Sequence, residues 1–253
     1  KSDDRWVSHG GLTYGGITML VPLSQRAILE WLSEIQSYLK NQGYQSIVYK
    51  PLPQIYFDKG YQSIEYGLFH HGYDCYRRDA STTIVLDQRG KVTKGRKSSI
   101  KKAVRDGVTV ALSDDLDTFF LMQDENVKKK YDATTVHTVE EMKLLQSRFP
   151  DNIRLYLAEC EGEIVAGGLV YLNKKVMHLQ YFAMNETGEK LSATDLIIDH
   201  LLSCCVEEKI AIFDFGISTE SDGKYLNEGL NKYKESFGGV TTLYEFYRLE
   251  INE

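Results

Sequence analysis

Three consecutive segments constrain this chain more than any other feature. "IRLYLAECEG" (153–162), "EIVAGGLVYLN" (163–173) and "KVMHLQYFAMN" (175–185) are rich in β-branched and aromatic residues, and turn-like breaks at Glu161-Gly162 and Asn173-Lys174 join them. Breaks this short permit only antiparallel neighbours, so a three-strand meander is expected. "ATDLIIDHLLSCCVEEK" (193–209) then reads as a helix capped by Ser192, with Leu196, Ile197, Leu201 and Cys204 or Cys205 on the buried side. "IAIFDFG" (210–216) is a continuous apolar run, the pattern of a strand buried on both faces. "YLNEGLNKYKESF" (225–237) is helical, with Leu226, Leu230, Tyr233 and Phe237 on one face, and "VTTLYEFYRLEI" (240–251) is the last strand.

Before the meander stand a strand "VTVALS" (108–113) and two helices, 114–131 and 138–150, the second with a capping box from Thr138 to Glu141. Residues 108–253 therefore predict a mixed α/β domain whose largely antiparallel sheet is crossed by helices. Residues 1–107 repeat the rhythm: a glycine-bounded strand (10–23), a helix (24–43) with Ile28, Trp31, Leu32, Ile35 and Leu39 on one face, a strand (45–53), a short helix (61–72), a strand (73–87) and a basic helix (89–107). Two related halves, 1–107 and 108–253, are expected; the sequence opens without Met, so the first half is expected to be incomplete.

With a net charge of −6, the chain needs a local patch to hold a polyanion. The basic helix supplies one. Lys97, Lys101 and Arg105 recur every fourth residue and share a face, with Ile100, Ala103 and Val104 as the buried seam. Such an island suits the phosphates of a sugar nucleotide or of tRNA, although a solvated face would look the same. Four Cys without a CxxC pair read as reduced thiols, which fits a cytoplasmic location. Six scattered His offer no metal-ligand spacing, so no metal is expected. No apolar run is long enough to span a bilayer, and membrane insertion is not expected.

Several residues stand out against this frame. Asp214 ends an apolar strand and needs a partner there. Ser218 follows it in the loop, and Asn227 lies in the first turn of the next helix. On "MHLQYFA", alternation puts His178 and Gln180 on one face and Tyr181 on the other; His178 suits a general base. His9 and Tyr14 flank the glycines of "SHGGLTYGG" (8–16), where backbone can approach a ligand closely. Lys234 lies three residues before Phe237-Gly238-Gly239.

This order of elements resembles the Gcn5-related N-acetyltransferase (GNAT) fold. The details look closer to its Fem-type branch, the peptidoglycan-bridge aminoacyltransferases, which resemble two GNAT halves in tandem. Four stretches carry the resemblance: "SHGGLTYGG", "RKSSIKKAVRDGVTV", "IVAGGLVY…HLQYFAMNETG" and "FDFGIS…LNEGLNKYKESFGG". The resemblance implies transfer of an acyl or aminoacyl group to an amine by direct attack, without a covalent enzyme intermediate. The implied acceptor is an amino group of a cell-envelope precursor, a sugar nucleotide or peptidoglycan stem, with His9 and Tyr14 on its side of the cleft. Lys234 falls on the branch's reaction-centre lysine in "K-x-x-F-G", and Tyr233 on an aromatic that can hold a cation. The strand carrying His178, Gln180 and Tyr181 corresponds, by the resemblance, to the one that splays in GNAT-like folds to admit the acyl group.

The donor the resemblance implies is acyl-CoA or aminoacyl-tRNA. In the donor loop "NETGEKLSATD" (185–195), only Gly188 remains of the glycine-rich pyrophosphate grip, with Lys190 beside it. An acetyl-CoA-dependent N-acetyltransferase of another amine and a catalytically degenerate ligand-binding module stay open as alternatives.

Overall fold

A computed structural model describes residues 4–19, 21–57, 62–131 and 135–251. The chain forms two compact units that interleave along the sequence: Lys1–Ala80, Ile217–Asn227 and Thr242–Glu253 in the first, Ser81–Gly216 and Glu228–Thr241 in the second. The expected break at Gly107 thus falls inside the second unit. The reason lies in its core, where Ile84, Ala103 and Val108 pack in one cluster with Val165, Ile197 and Phe213.

The first unit is built from β1 (Arg5–Val7), α1 (Gln25–Asn41), β2 (Ser46–Tyr49) and α2 (Ser63–His70). β3 (Asp74–Val85) divides between the two units at Ala80. β1 runs parallel to β2. Ser24 caps α1 by accepting from Ala27 N at 3.2 Å. Ile28, Leu32 and Leu39 of α1 pack with Ile64 and Leu68 of α2. Gly67 lets the two helices meet, since a Cβ there would lie 2.6 Å from Leu32 Cδ1. The segment expected to be a strand over 10–23 is turn and coil at its described residues. Gly11 and Gly16 take positive φ there, which breaks the alternation a strand needs.

The second unit contains α3 (Lys94–Arg105), β4 (Thr109–Ser113), α4 (Leu116–Tyr131), α5 (Val139–Arg148), β5 (Ile153–Cys160), β6 (Glu163–Leu172), β7 (Val176–Met184), α6 (Glu186–Leu191), α7 (Ala193–Glu207) and β8 (Ile212–Ile217). β4 through β7 pair antiparallel in sequence order, which includes the expected meander, and β8 joins parallel to β7. Helices cover both faces. Leu155 and Leu157 face the cluster of Phe119, Phe120 and Met142, while Tyr156 and Ala158 face that of Ile197, Leu201 and Phe213. Alternate residues of one strand thus enter opposite cores, which is why these strands read as continuous apolar runs.

Beyond β8 come β9 (Thr219–Glu220), β10 (Tyr225–Leu226), α8 (Glu228–Glu235) and β11 (Val240–Glu250). β9 and β10 form a hairpin and β11 pairs antiparallel with β2, both in the first unit. Three local expectations are corrected. Tyr225 and Leu226 belong to the hairpin rather than to a helix. The donor loop contains α6, capped by Asn185. Ser192 sits in the left-handed region at φ 58° and makes no side-chain cap.

Candidate active site

The site begins where two parallel strands part. β7 and β8 pair from Val176↔Ile212 to His178↔Asp214, and the ladder ends there. On β7's other edge, Leu169 faces Tyr181 and Val170 faces Leu179, so Gln180 is the extra residue of a β-bulge. A bulge bends its strand and breaks strict alternation. Consequently Gln180 and Tyr181 both line the pocket that opens beyond the ladder. The expectation that Tyr181 lies on the face opposite Gln180 fails for this reason, while His178, before the bulge, turns to Asp214. The pocket, of about 260 Å³, is closed by Phe215 of β8 and by Tyr233 and Lys234 of α8.

Lys234 is 6% exposed and donates from Nζ to Gly216 O at 2.9 Å. Burial pushes its ammonium down to about 8, against an opposing pull from Asp214. The amphipathic reading of α8 put Leu226 and Leu230 on the buried face. Both are partly exposed, and Lys234 takes the buried place.

Asp214 is fully buried. Its Oδ2 lies 2.6 Å from His178 Nδ1, and its Oδ1 accepts from Ser81 Oγ at 2.7 Å and Gly216 N at 3.0 Å. The carboxylate therefore fixes both the His178 ring and the backbone turn whose carbonyl holds Lys234. His178 is not among the residues lining the pocket.

Tyr233 presents its ring to the pocket and donates from its hydroxyl to Asp195 Oδ1 at 3.1 Å. Burial, and next the Asp195 carboxylate, raise its pKa. The cation over Tyr233 is Arg96, whose guanidinium lies 4.3 Å from that ring and 4.8 Å from the ring of Phe237. Arg96 also pairs with Asp195 and donates to Ser236 Oγ at 3.0 Å. One residue of the basic helix is thus an internal rivet, while Lys97, Lys101 and Arg105 stay exposed on α3.

The donor loop is filled by its own groups. Asp195 puts a carboxylate in the first turn of α7, where the helix dipole favours an anion. Gly188 N donates to Asn185 Oδ1 at 2.8 Å, and a Cβ on Gly188 would lie 2.1 Å from Val165 O. Gly188 is thus required by the packing of α6 on β6. Lys190 is exposed, and its carbonyl accepts from Lys102 Nζ at 2.6 Å. The Gly188 N–H is thus engaged by Asn185, and the first turn of α7 carries a carboxylate paired with Arg96 and Tyr233.

Four further candidates belong to the first unit. Asn227 N donates to Ser218 O at 2.9 Å, and Ser218 is buried. His9 has φ 53°, and its Nδ1 accepts from Gly16 N at 3.3 Å. Tyr14 sets its ring edge-on to Tyr56. The structure therefore gathers Lys234, Tyr233, Gln180 and Tyr181 in one pocket of the second unit, with His178–Asp214 behind it.

The sequence reading missed Gln123 and Asn126 of α4, which line the same pocket. A signal existed. Gln123 occupies a place on the stripe Leu116, Phe119, Phe120 where an apolar residue is expected. Among the described residues no group of His, Cys, Asp or Glu could hold a metal ion, and no helix is long and apolar enough to cross a membrane.

Comparison with known proteins completes the picture. The chain's fold is similar to that of FemX, with a TM-score of 0.70 at 12% identity over 90% of this chain and 78% of that one. It is also similar to L-PGS from Bacillus licheniformis, with a TM-score of 0.65 at 16% identity over 88% of this chain and 73% of the other. The C-terminal domain of a putative lysylphosphatidylglycerol synthetase from Agrobacterium fabrum gives 0.65 at 11% identity, over 89% and 74%. No curated protein matches the sequence. The family described as acetyltransferase (GNAT) domain matches residues 88–235, more than half of the chain and the span that builds the parted strands and Lys234. The chain therefore belongs to the GNAT acetyltransferase family.

Proposed function

We propose that this protein is an N-acyltransferase that moves an aminoacyl group from an activated donor to an amine of a cell-envelope precursor. The observation that carries the reading is a buried lysine at the mouth of two parted strands. The neutral amine attacks the donor carbonyl, and the carbonyl oxygen gains negative charge. The Lys234 ammonium, partly desolvated, stabilises that charge better than a solvated lysine would. As the tetrahedral species collapses, the bond to the donor's leaving oxygen breaks, and the proton of the amine nitrogen passes, through solvent, to that oxygen. The carboxylate of Asp214, holding Gly216 N, keeps the Gly216 carbonyl in place for Lys234.

Two observations favour an aminoacyl donor over acyl-CoA. The Asp195 carboxylate places a like charge in the first turn of α7, and the Asn185 cap takes the Gly188 N–H, which disfavours a pyrophosphate on this loop. Neighbours of similar fold include the C-terminal domain of a putative lysylphosphatidylglycerol synthetase, whose name denotes a lysyl group carried on phosphatidylglycerol. The acceptor class, a sugar nucleotide or peptidoglycan stem, rests on the Fem-type resemblance. The test is a transfer assay across acyl-CoA and aminoacyl-tRNA donors with UDP-amino sugars as acceptors. Lys234→Ala is expected to lower transfer by at least a hundredfold with the melting curve retained. Tight acetyl-CoA binding through the 185–195 loop would sink the aminoacyl reading. Ligand binding without transfer from any donor would favour a binding module.

A further inference from the structure

One polar group lining the pocket has no partner. Gln123 is 8% exposed, and its Oε1 is buried without a hydrogen bond to any of the described residues. Methionine or leucine would fill this place on the α4 stripe with no orphaned acceptor, so a buried amide here calls for a ligand. Asn126 lies three residues on, on the same helix face. It donates its two amide hydrogens to Met122 O at 2.7 Å and Met184 O at 2.9 Å, which leaves its carbonyl oxygen as the group it can offer. Both residues line the pocket that holds Lys234, and among the described residues no carboxylate lines it with them. Uncharged oxygens beside a lysine suit a hydrogen-bond donor such as an amine N–H.

We propose that Gln123, supported by Asn126, is the specificity-determining residue of this pocket, accepting a hydrogen bond from an amino group on the acyl moiety being transferred. The assignment rests on the acyl-transfer reading and deepens it: the site selects an acyl group bearing an amine over a plain acyl group of the same size. An N–H is also present on the attacking amine, and the experiment separates the two sources.

The probes are 3′-alanylamino- and 3′-propionylamino-3′-deoxyadenosine, non-transferable amides that differ in one amino group, measured by calorimetry on the full chain. The wild type is expected to bind the alanyl compound at least tenfold more tightly, as a hydrogen bond to an amine N–H warrants. Gln123→Met is expected to bring the two within about twofold by weakening the alanyl compound alone. Gln123→Glu, which offers an oxygen whichever way the group is turned, is expected to keep or enlarge the preference. This second variant decides the matter if the methionine variant does not fold. Equal binding of the two probes by the wild type, or binding of neither, overturns the assignment. So does a Gln123→Met variant that keeps the preference and instead raises KM for the acceptor amine. Loss of transfer in Lys234→Ala, combined with an unchanged preference in Gln123→Met, sinks this assignment while acyl transfer stands.

Discussion

Lys234 holds its ammonium against the Gly216 carbonyl oxygen, 2.9 Å away, at a site only 6% exposed. Water is mostly excluded, so the charged form is disfavoured and its pKa falls to about 8. The sign of the stability effect follows. Between about 8 and the ordinary lysine value the unfolded chain binds the proton and the folded chain does not, so stability rises with pH across that window. Below about 8 the cost is present in full, at roughly 3 kcal/mol or less. Lys234→Met is therefore expected to be more stable than the wild type at pH 7, and the gap to close as pH rises through the window. Denaturant titrations of both proteins at several pH values check this. An activity that uses the ammonium is expected to move the other way, falling as pH rises through about 8 in a pH–rate profile.

At the scale of elements, the glycines after α8 explain why a lysine can be buried there. Gly238 has φ +91°, and a Cβ on it would lie 2.3 Å from Gly90 O. Gly90 N donates to Gly238 O at 3.0 Å, so the turn locks the end of α8 onto the chain entering α3. Phe237, fully buried beneath Arg96, fixes the same turn from its other side. Gly238→Ala meets a positive φ and a backbone clash together and is expected to cost about 2–4 kcal/mol. A lowered Tm, with a larger loss in kcat than in KM from the displaced Lys234, would show it. The meander and the apolar strand were legible in the sequence because alternation and tight turns are local. The bulge at Gln180 was not, since it shows only against β6, and it turned Tyr181 onto the side of the strand where Gln180 lies. Lys234 was legible through the Phe-Gly-Gly resemblance alone; helical periodicity favoured Leu226 and Leu230 for the buried face. Gln123 announced itself as a polar residue on an apolar stripe, a sign that points to a site only once the opposite wall is known.

For the molecule as a whole, net charge sets the terms on which a polyanionic donor can be held. A chain at −6 repels RNA on average, so any grip must be local and short-ranged at physiological salt. Exposed α3 offers it: Lys97 and Lys101 have no carboxylate partner among the described residues, while Arg105 shares Asp106 with Lys102. Arg96 on the same helix is buried against Asp195 and Tyr233, which ties α3 to the wall of the pocket. Replacing Lys97, Lys101 and Arg105 together by Ala is expected to raise KM for an aminoacyl-tRNA donor by tenfold or more. The slope of log affinity against log salt is expected to flatten by about 2 to 3, one contact for each cation removed. Turnover of a short aminoacyl ester without the RNA is expected to be unchanged, because Lys234 and Gln123 are untouched. An equal loss for both donors would place the three cations in folding rather than in binding. An unchanged salt slope would assign the α3 face to solvent.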